Sequence, residues 1–231
     1  METALVLSCE HATAAVPARF RSLFQGQQEV LQSHRGWDPG TLDLGKKLAS
    51  RFQVPLFATK VSRLLIEVNR SLHHRRLFSE FTDSLSAATK QQLIGQYYVP
   101  HRTAIERDVR NRMKSGRRVL HVSLHSFTGV WEGVPRTADL GLLYDPQRAS
   151  ERALCDDWKR LLDQKLPHLT VRRNYPYLGR ADGLTTALRK LFPATRYMGI
   201  ELEINQKYPS AGPEWSKIAR AVEATLAELL K

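Results

Sequence analysis

Two histidines, His11 and His125, and a pair of carboxylates, Glu201 and Glu203, have settings in this chain that point to chemistry. Leu5-Val6-Leu7 is an apolar run that turns polar at Ser8 and arrives at Glu10-His11. A short unbroken apolar run reads as a strand buried on both faces, and in helix-covered sheets ligands bind just past the carboxyl ends of strands. His11 falls there and reads as the first ligand of a catalytic metal. His125 lies near the end of a second run, Arg117 to Thr128, whose alternation sets Leu120, Val122 and Leu124 on one face and His121, Ser123 and His125 on the other. A single histidine at such a place is ordinarily a packed or hydrogen-bonded residue. Two at equivalent edges of one sheet fit a metal site. Glu201 and Glu203 share a face of the run Arg196 to Gln206, opposite Ile200, Leu202 and Ile204. Carboxylates are rarely buried unless paired or metal-bound. The pair therefore belongs either to a sheet edge with cross-strand ion pairs or to a general base.

Charged residues also interrupt the apolar stretch from Val61 to Arg70, at Arg63, Glu67 and Arg70. Buried charges need partners. Arg63 or Arg70 could pair with Glu67 structurally, or a guanidinium fork could hold a substrate carboxylate by two points. Asp38 precedes Pro39, a strong local signal for a helix cap; the same carboxylate could instead be a metal ligand at the mouth of the site. In the turn-rich stretch Asn174 to Gly183, Asn174 and Arg180 are the candidate substrate contacts.

The elements that must position these residues alternate along the chain. Strands are expected at Leu5–Cys9, Val54–Thr59, Arg117–Thr128, Asp139–Tyr144, Leu169–Arg173 and Arg196–Gln206. Helices are expected from Asp38 to Phe52, from Ser86 to Ser115 with a break or kink at Pro100, from Asp145-Pro146 to Lys165, from Leu184 to Phe192, and from Pro213 to Lys231. Ser71 to Arg76 reads as a basic solvated loop or lid, and Gly129 to Thr137 as a loop with Trp131 and Glu132 over the site. Alternating strands and helices without a repeat or linker describe one α/β domain over residues 1–231.

Composition narrows the class. The chain has 35 Lys+Arg against 23 Asp+Glu, a net charge of +12, which favours an anionic partner such as nucleic acid or a small carboxylate. The two cysteines, Cys9 and Cys155, make no disulfide framework. The opening Met1-Glu2-Thr3-Ala4 lacks the basic start of a signal peptide, and no apolar stretch approaches membrane-spanning length. A cytoplasmic location is the resulting expectation, with no membrane partner.

Taken in order, these segments resemble the N-formylglutamate amidohydrolase family. The resemblance rests on Ser8-Cys9-Glu10-His11-Ala12 with Pro17, on Trp37-Asp38-Pro39-Gly40, and on Ser62-Arg63 through Asn69-Arg70. It continues through Leu124-His125-Ser126-Phe127-Thr128, Asn174-Tyr175-Pro176-Tyr177 with Asp182-Gly183, and Glu201-Leu202-Glu203-Ile204-Asn205-Gln206. It implies a three-layer αβα fold with a mixed, mostly parallel central sheet, like that of zinc-dependent exopeptidases. It also implies metal-dependent hydrolysis of the amide of an N-acyl, expected N-formyl, acidic amino acid such as N-formyl-L-glutamate. Zinc, or another divalent metal, would rest on His11, Asp38 and His125. Glu203 would be the catalytic carboxylate, with Glu201 as its alternative, and Arg63 the catalytic arginine. Asn69 and Arg70 would handle the small anionic substrate. Glu67 stands where the resemblance implies aspartate.

Two other readings compete. One is a peptidase or cell-wall amidase on the same metal scaffold. The other is a basic protein that binds nucleic acid through Arg70 to Arg76 and the arginine-rich helix; against it, the chain carries no aromatic RNA-binding signature, no paired zinc-finger cysteines and no recognition-helix pattern.

Overall fold

The apolar runs do form one sheet. In the structure, a computed structural model that describes residues 2–208 and 212–231, the strands are β1 (Thr3–Cys9), β2 (Leu56–Ala58), β3 (Arg118–Phe127), β4 (Val130–Trp131), β5 (Val134–Pro135), β6 (Leu140–Leu143), β7 (Val171–Arg173) and β8 (Tyr197–Asn205). Six of them assemble in the order β2-β1-β3-β8-β6-β7. All neighbours are parallel except β6 against β8. The helices are α1 (Gln28–Gln32), α2 (Thr41–Phe52), α3 (Ala87–Leu93), α4 (Val99–Lys114), α5 (Ala149–Lys165), α6 (Leu184–Leu191) and α7 (Pro213–Leu229).

The period-2 alternation read from the sequence sorts the faces. Leu5 and Leu7 of β1, Leu120, Val122 and Leu124 of β3, and Ile200, Leu202 and Ile204 of β8 point to one side and pack on α2, α5 and α7. The large buried residue there is Trp158, whose indole N–H donates to Thr225 Oγ1 at 2.9 Å, so its polar atom is satisfied inside the core. Val6, Val119 and Tyr197 lie on the other side against Ile105 and Val109 of α4 and Leu184 and Leu188 of α6. The result is a three-layer α/β fold with a mixed, mostly parallel six-stranded sheet. The polar members of the alternation, Ser8, Ser123, His125, Glu201 and Glu203, share the α4/α6 side. A third apolar cluster, with Phe20, Phe24, Leu64, Leu65, Leu77 and Tyr98, gathers the irregular chain around residues 61–85. Among the described residues no helix is long and apolar enough to cross a membrane.

Four local expectations change. Asp38 is not a cap: α2 begins at Thr41, and its N-cap is Gly40, at a φ of +82° that glycine adopts without steric cost. The Asp38 carbonyl accepts from Thr41 Oγ1 at 2.7 Å while the carboxylate turns inward. Pro100 does not break the helical run; a π-helical turn at Ile94–Tyr98 precedes it, and the proline falls in the first turn of α4, where its missing N–H is tolerated. Asp145-Pro146 forms a turn ahead of α5, with Gln147 N–H donating to Asp145 Oδ1 at 3.0 Å. The Gly129 to Thr137 loop contains an antiparallel hairpin of β4 and β5, turned by Glu132 (φ 50°) and Gly133 (φ 79°). Positive φ at both turn residues is the geometry that matches strand twist.

Candidate active site

β1, β3 and β8 lie side by side, and their carboxyl ends bring three separate stretches of sequence together. His11 stands just past β1, and His125 and Glu203 are register partners near the ends of β3 and β8. Asp38 joins them from the loop before α2, fixed by its own N–H donating to the His11 carbonyl at 2.9 Å. All four are buried.

Asp38 Oδ2 is the centre of the arrangement. It lies 3.2 Å from His11 Nδ1 and 2.9 Å from His125 Nδ1, and it accepts from Ser126 N–H at 3.2 Å. The opposite nitrogen of each ring is held by another carboxylate. His11 Nε2 is 2.7 Å from Glu67 Oε1. His125 Nε2 is 3.1 Å from Glu10 Oε2 and 2.9 Å from Ser123 Oγ, and the Ser123 hydroxyl donates in turn to Glu10. Each imidazole is thus anchored through Nε2 and turns Nδ1 toward the shared carboxylate.

Burial alone would lower the pKa of both rings, and Arg63 adds to that at His11. Glu67 and Asp38 outweigh these effects at His11 and leave its pKa raised. Hydrogen bonds and charge from Asp38 and Glu10 raise that of His125 well above the ordinary value. The carboxylates answer in kind. Burial would raise Asp38, Glu67 and Glu10, but their cationic neighbours hold all three below the usual range. Glu203 behaves differently. Burial dominates, Asp38 and Glu201 add to it, His125 opposes it, and the pKa is pushed up to about 7. Among the described residues its Oε2 is buried without a hydrogen-bond partner.

The donor set could hold a metal ion. His11, Asp38 and His125 each offer one ligand atom, all within 4.8 Å of one another. Around a tetrahedral zinc with bonds of roughly 2.0–2.2 Å, ligand atoms sit roughly 3.3–3.6 Å apart, close to the Asp38 distances above. Carboxylates on the outer nitrogens of ligating histidines are the usual device for fixing tautomer and ring orientation.

Of the two arginines, Arg63 takes Glu67 as its partner, with Nε at 2.8 Å and Nη2 at 2.6 Å from Oε2, and its Nη1 lies 3.7 Å from Asp38. Arg70 instead donates to the Asp182 carbonyl. Asn69 Oδ1 accepts from Leu184 N–H at 2.8 Å, tying the start of α6 to the site, and its Nδ2 stands 3.5 Å from His125 Nε2. Glu201 Oε1 accepts from Thr185 Oγ1 at 2.6 Å. Neither glutamate is at a sheet edge, since β8 is an interior strand. Arg63, Asn69, Arg70, Glu201 and Glu203 all line one cavity with His11, Asp38 and His125.

Asn174 and Arg180 are not brought there. Asn174 Oδ1 accepts from Tyr144 N–H at 3.1 Å and Gly179 N–H at 3.0 Å, so its amide braces a turn. Arg180 is exposed and does not line the cavity. That turn closes tightly on β6, because a Cβ at Gly141 would meet the Tyr175 carbonyl oxygen at 2.1 Å. Three supporting residues were not singled out by the sequence. Ser123 was visible only as a polar member of an alternating strand. Glu10 was visible as the residue before His11. His101, whose Nε2 faces Glu10 Oε1 at 3.5 Å, sits on the arginine-rich helix with no signal to mark it.

Comparison with known proteins places the chain in a family. A sequence model described as N-formylglutamate amidohydrolase matches residues 3–208. Among solved structures, a gene product of Agrobacterium tumefaciens is similar over 98% of this chain and 90% of that chain, with 28% identity and a TM-score of 0.83. An N-formylglutamate amidohydrolase from Ralstonia eutropha shares the fold over 98% of this chain and 92% of that chain, with 20% identity and a TM-score of 0.72. Among curated proteins none matches significantly. With the match running from β1 through β8, the chain belongs to the N-formylglutamate amidohydrolase family.

Proposed function

We propose that the protein is a zinc-dependent amidohydrolase that cleaves the amide of an N-acyl acidic amino acid, with N-formyl-L-glutamate as the reference substrate. The observation that carries this reading is the convergence of His11 Nδ1, His125 Nδ1 and Asp38 Oδ2 beside a buried carboxylate oxygen that has no partner among the described residues. His11, Asp38 and His125 would hold the cation, with another divalent metal of similar ligand preference as the alternative. When bound, such an ion acidifies water and polarises a carbonyl.

The chain's own groups do the rest. Glu203 Oε2 takes the proton of the attacking water and delivers one to the leaving amine nitrogen, a task suited to a carboxyl whose pKa burial has moved toward neutrality. Glu201, already accepting from Thr185, shapes the field around it rather than moving the proton. Arg63, anchored on Glu67, brings a permanent charge to the cavity where an oxyanion develops. Arg70 and Asn69 serve the substrate's carboxylates. Among the described residues Arg70, Arg75 and Arg76 have no carboxylate partner, and all three line the cavity.

The direct test is glutamate release from N-formyl-L-glutamate before and after chelation. Activity should vanish with the metal and return with zinc. Full turnover by protein shown by elemental analysis to be metal-free would end the proposal. A second expected result concerns the outer carboxylate of His11. Glu67→Gln should weaken zinc binding by roughly 10–100-fold, the effect typical of such partners, as read by competition with a chromogenic chelator. An unchanged affinity would show that the Glu67 contact does not orient His11.

A further inference from the structure

The proposed reaction uses the metal donors, the base and the guanidinium groups, yet these make up only part of the cavity wall. The cavity holds about 770 Å³, within the range of roughly 300–1,000 Å³ that encloses drug-sized ligands. A formyl group adds a single carbon to an amino acid and leaves much of that space to water. The end of β3, the hairpin after it and the turn before α6 line it with Phe127, Trp131, Tyr177 and Leu178. Trp131 is 46%, Tyr177 45% and Leu178 54% exposed, so three large apolar side chains keep much of their surface free beside the cavity.

The wall is braced. The Arg136 guanidinium lies 5.7 Å from the Phe127 ring, 5.2 Å from Trp131 and 5.0 Å from Tyr177. It also donates to the Tyr177 hydroxyl at 3.1 Å. His34 meets Trp131 edge-on at 6.1 Å. Arg136 is occupied in holding the rings together and does not line the cavity, so this part of the wall is aromatic. It also reaches the reaction centre, because Phe127 lies two residues beyond His125 on the same strand.

A scissile amide divides its substrate into an amine end and an acyl end. The amine end of an acidic amino acid carries the carboxylates and matches Arg70, Arg75 and Arg76. The acyl end of the reference substrate, a formyl group, is uncharged, and the lining left for that end is Phe127, Trp131, Tyr177 and Leu178. We infer that the site takes N-acyl amino acids whose acyl group is aromatic, with Trp131 and Tyr177 as the surfaces that select it. This rests on the amidohydrolase reading and narrows its substrate. The reaction keeps its balance: water adds across the amide, the C–N bond breaks, the acyl carbon keeps the hydroxyl and the amine nitrogen gains the proton.

The test compares N-phenylacetyl-L-glutamate with N-formyl-L-glutamate on zinc-loaded protein, and measures calorimetric binding of both to metal-free protein. The aryl compound should have the higher kcat/KM and the tighter binding, each by about tenfold, as one added aromatic contact supplies. Trp131→Ala should lower the aryl-to-formyl ratio by about tenfold, and Tyr177→Phe, which keeps the ring, should preserve it. Cleavage of the formyl compound without cleavage or binding of the aryl one overturns this inference and leaves the amidohydrolase reading intact. Cleavage of neither overturns both.

Discussion

Glu203→Gln is expected to lower kcat/KM by roughly 10²–10⁴-fold, the contribution of a positioned general base, while zinc binding is retained. Glutamine matches the shape of the side chain opposite His125 but cannot take a proton. The Glu203 position is interior, and its Oε2 is buried without a partner among the described residues. No ion pair is broken by the change among the described residues, so the fold should survive. The pH profile adds a signature that misfolding would not mimic. A base works deprotonated, so below the Glu203 pKa of about 7 the rate should fall as pH falls, and above it the rate should level off. A nearby cation favours the carboxylate and moves this limb to lower pH. Glu203→Gln should lose the limb together with the rate. The same acid limb persisting in the variant, or turnover near that of the parent, would assign the base elsewhere. Glu201→Gln should cost much less, because Glu201 already accepts from Thr185 Oγ1.

What could be seen in the sequence follows from which forces act locally. Strand alternation is local, so the runs that lead to His11 and contain His125 and Glu203 were legible, and so was the face on which Ser123 and His125, and Glu201 and Glu203, fall. The meeting of His11 and His125 then follows from where parallel strands end. Asp38 shows the limit. Asp-Pro ahead of an apolar pattern is a strong cap signal, yet two imidazoles more stabilising than one backbone N–H draw the carboxylate inward, and glycine takes over the cap. Nothing near Asp38 in sequence announces rings that arrive from residues 11 and 125. The same holds for the outer partners. Glu10, Glu67 and Ser123 have roles only after β1, β3 and the irregular segment around Glu67 are assembled. The Glu132-Gly133 turn escaped because glutamate is an uncommon residue at positive φ. Asn174, whose own φ is 50°, looked like a substrate contact because turn chemistry and binding chemistry use the same side chains.

Asp38→Ala is expected to weaken zinc binding by more than the roughly 10–100-fold typical of an outer partner, and also to make it less dependent on pH. The first effect follows from losing one of the three donors. The second follows from the competition between protons and metal for the same imidazole nitrogens. In the parent protein, burial would lower the pKa of His125, but Asp38 and Glu10 outweigh it and raise the pKa well above the ordinary value. His11 is also raised, with Glu67 and Asp38 prevailing over burial and Arg63. At neutral pH a cation must therefore displace protons, so the parent's affinity falls as pH falls. Without Asp38 the upward push weakens while burial remains, and less protonation stands in the way. The variant should bind zinc weakly, along a flatter pH curve, and release fewer protons per ion, which calorimetry in buffers of different ionisation enthalpy counts directly. Parent-like affinity in Asp38→Ala would remove Asp38 from the ligand set. Weak binding with the parent's full proton release would keep Asp38 as a donor but show that the raised imidazole pKa values come from Glu10 and Glu67.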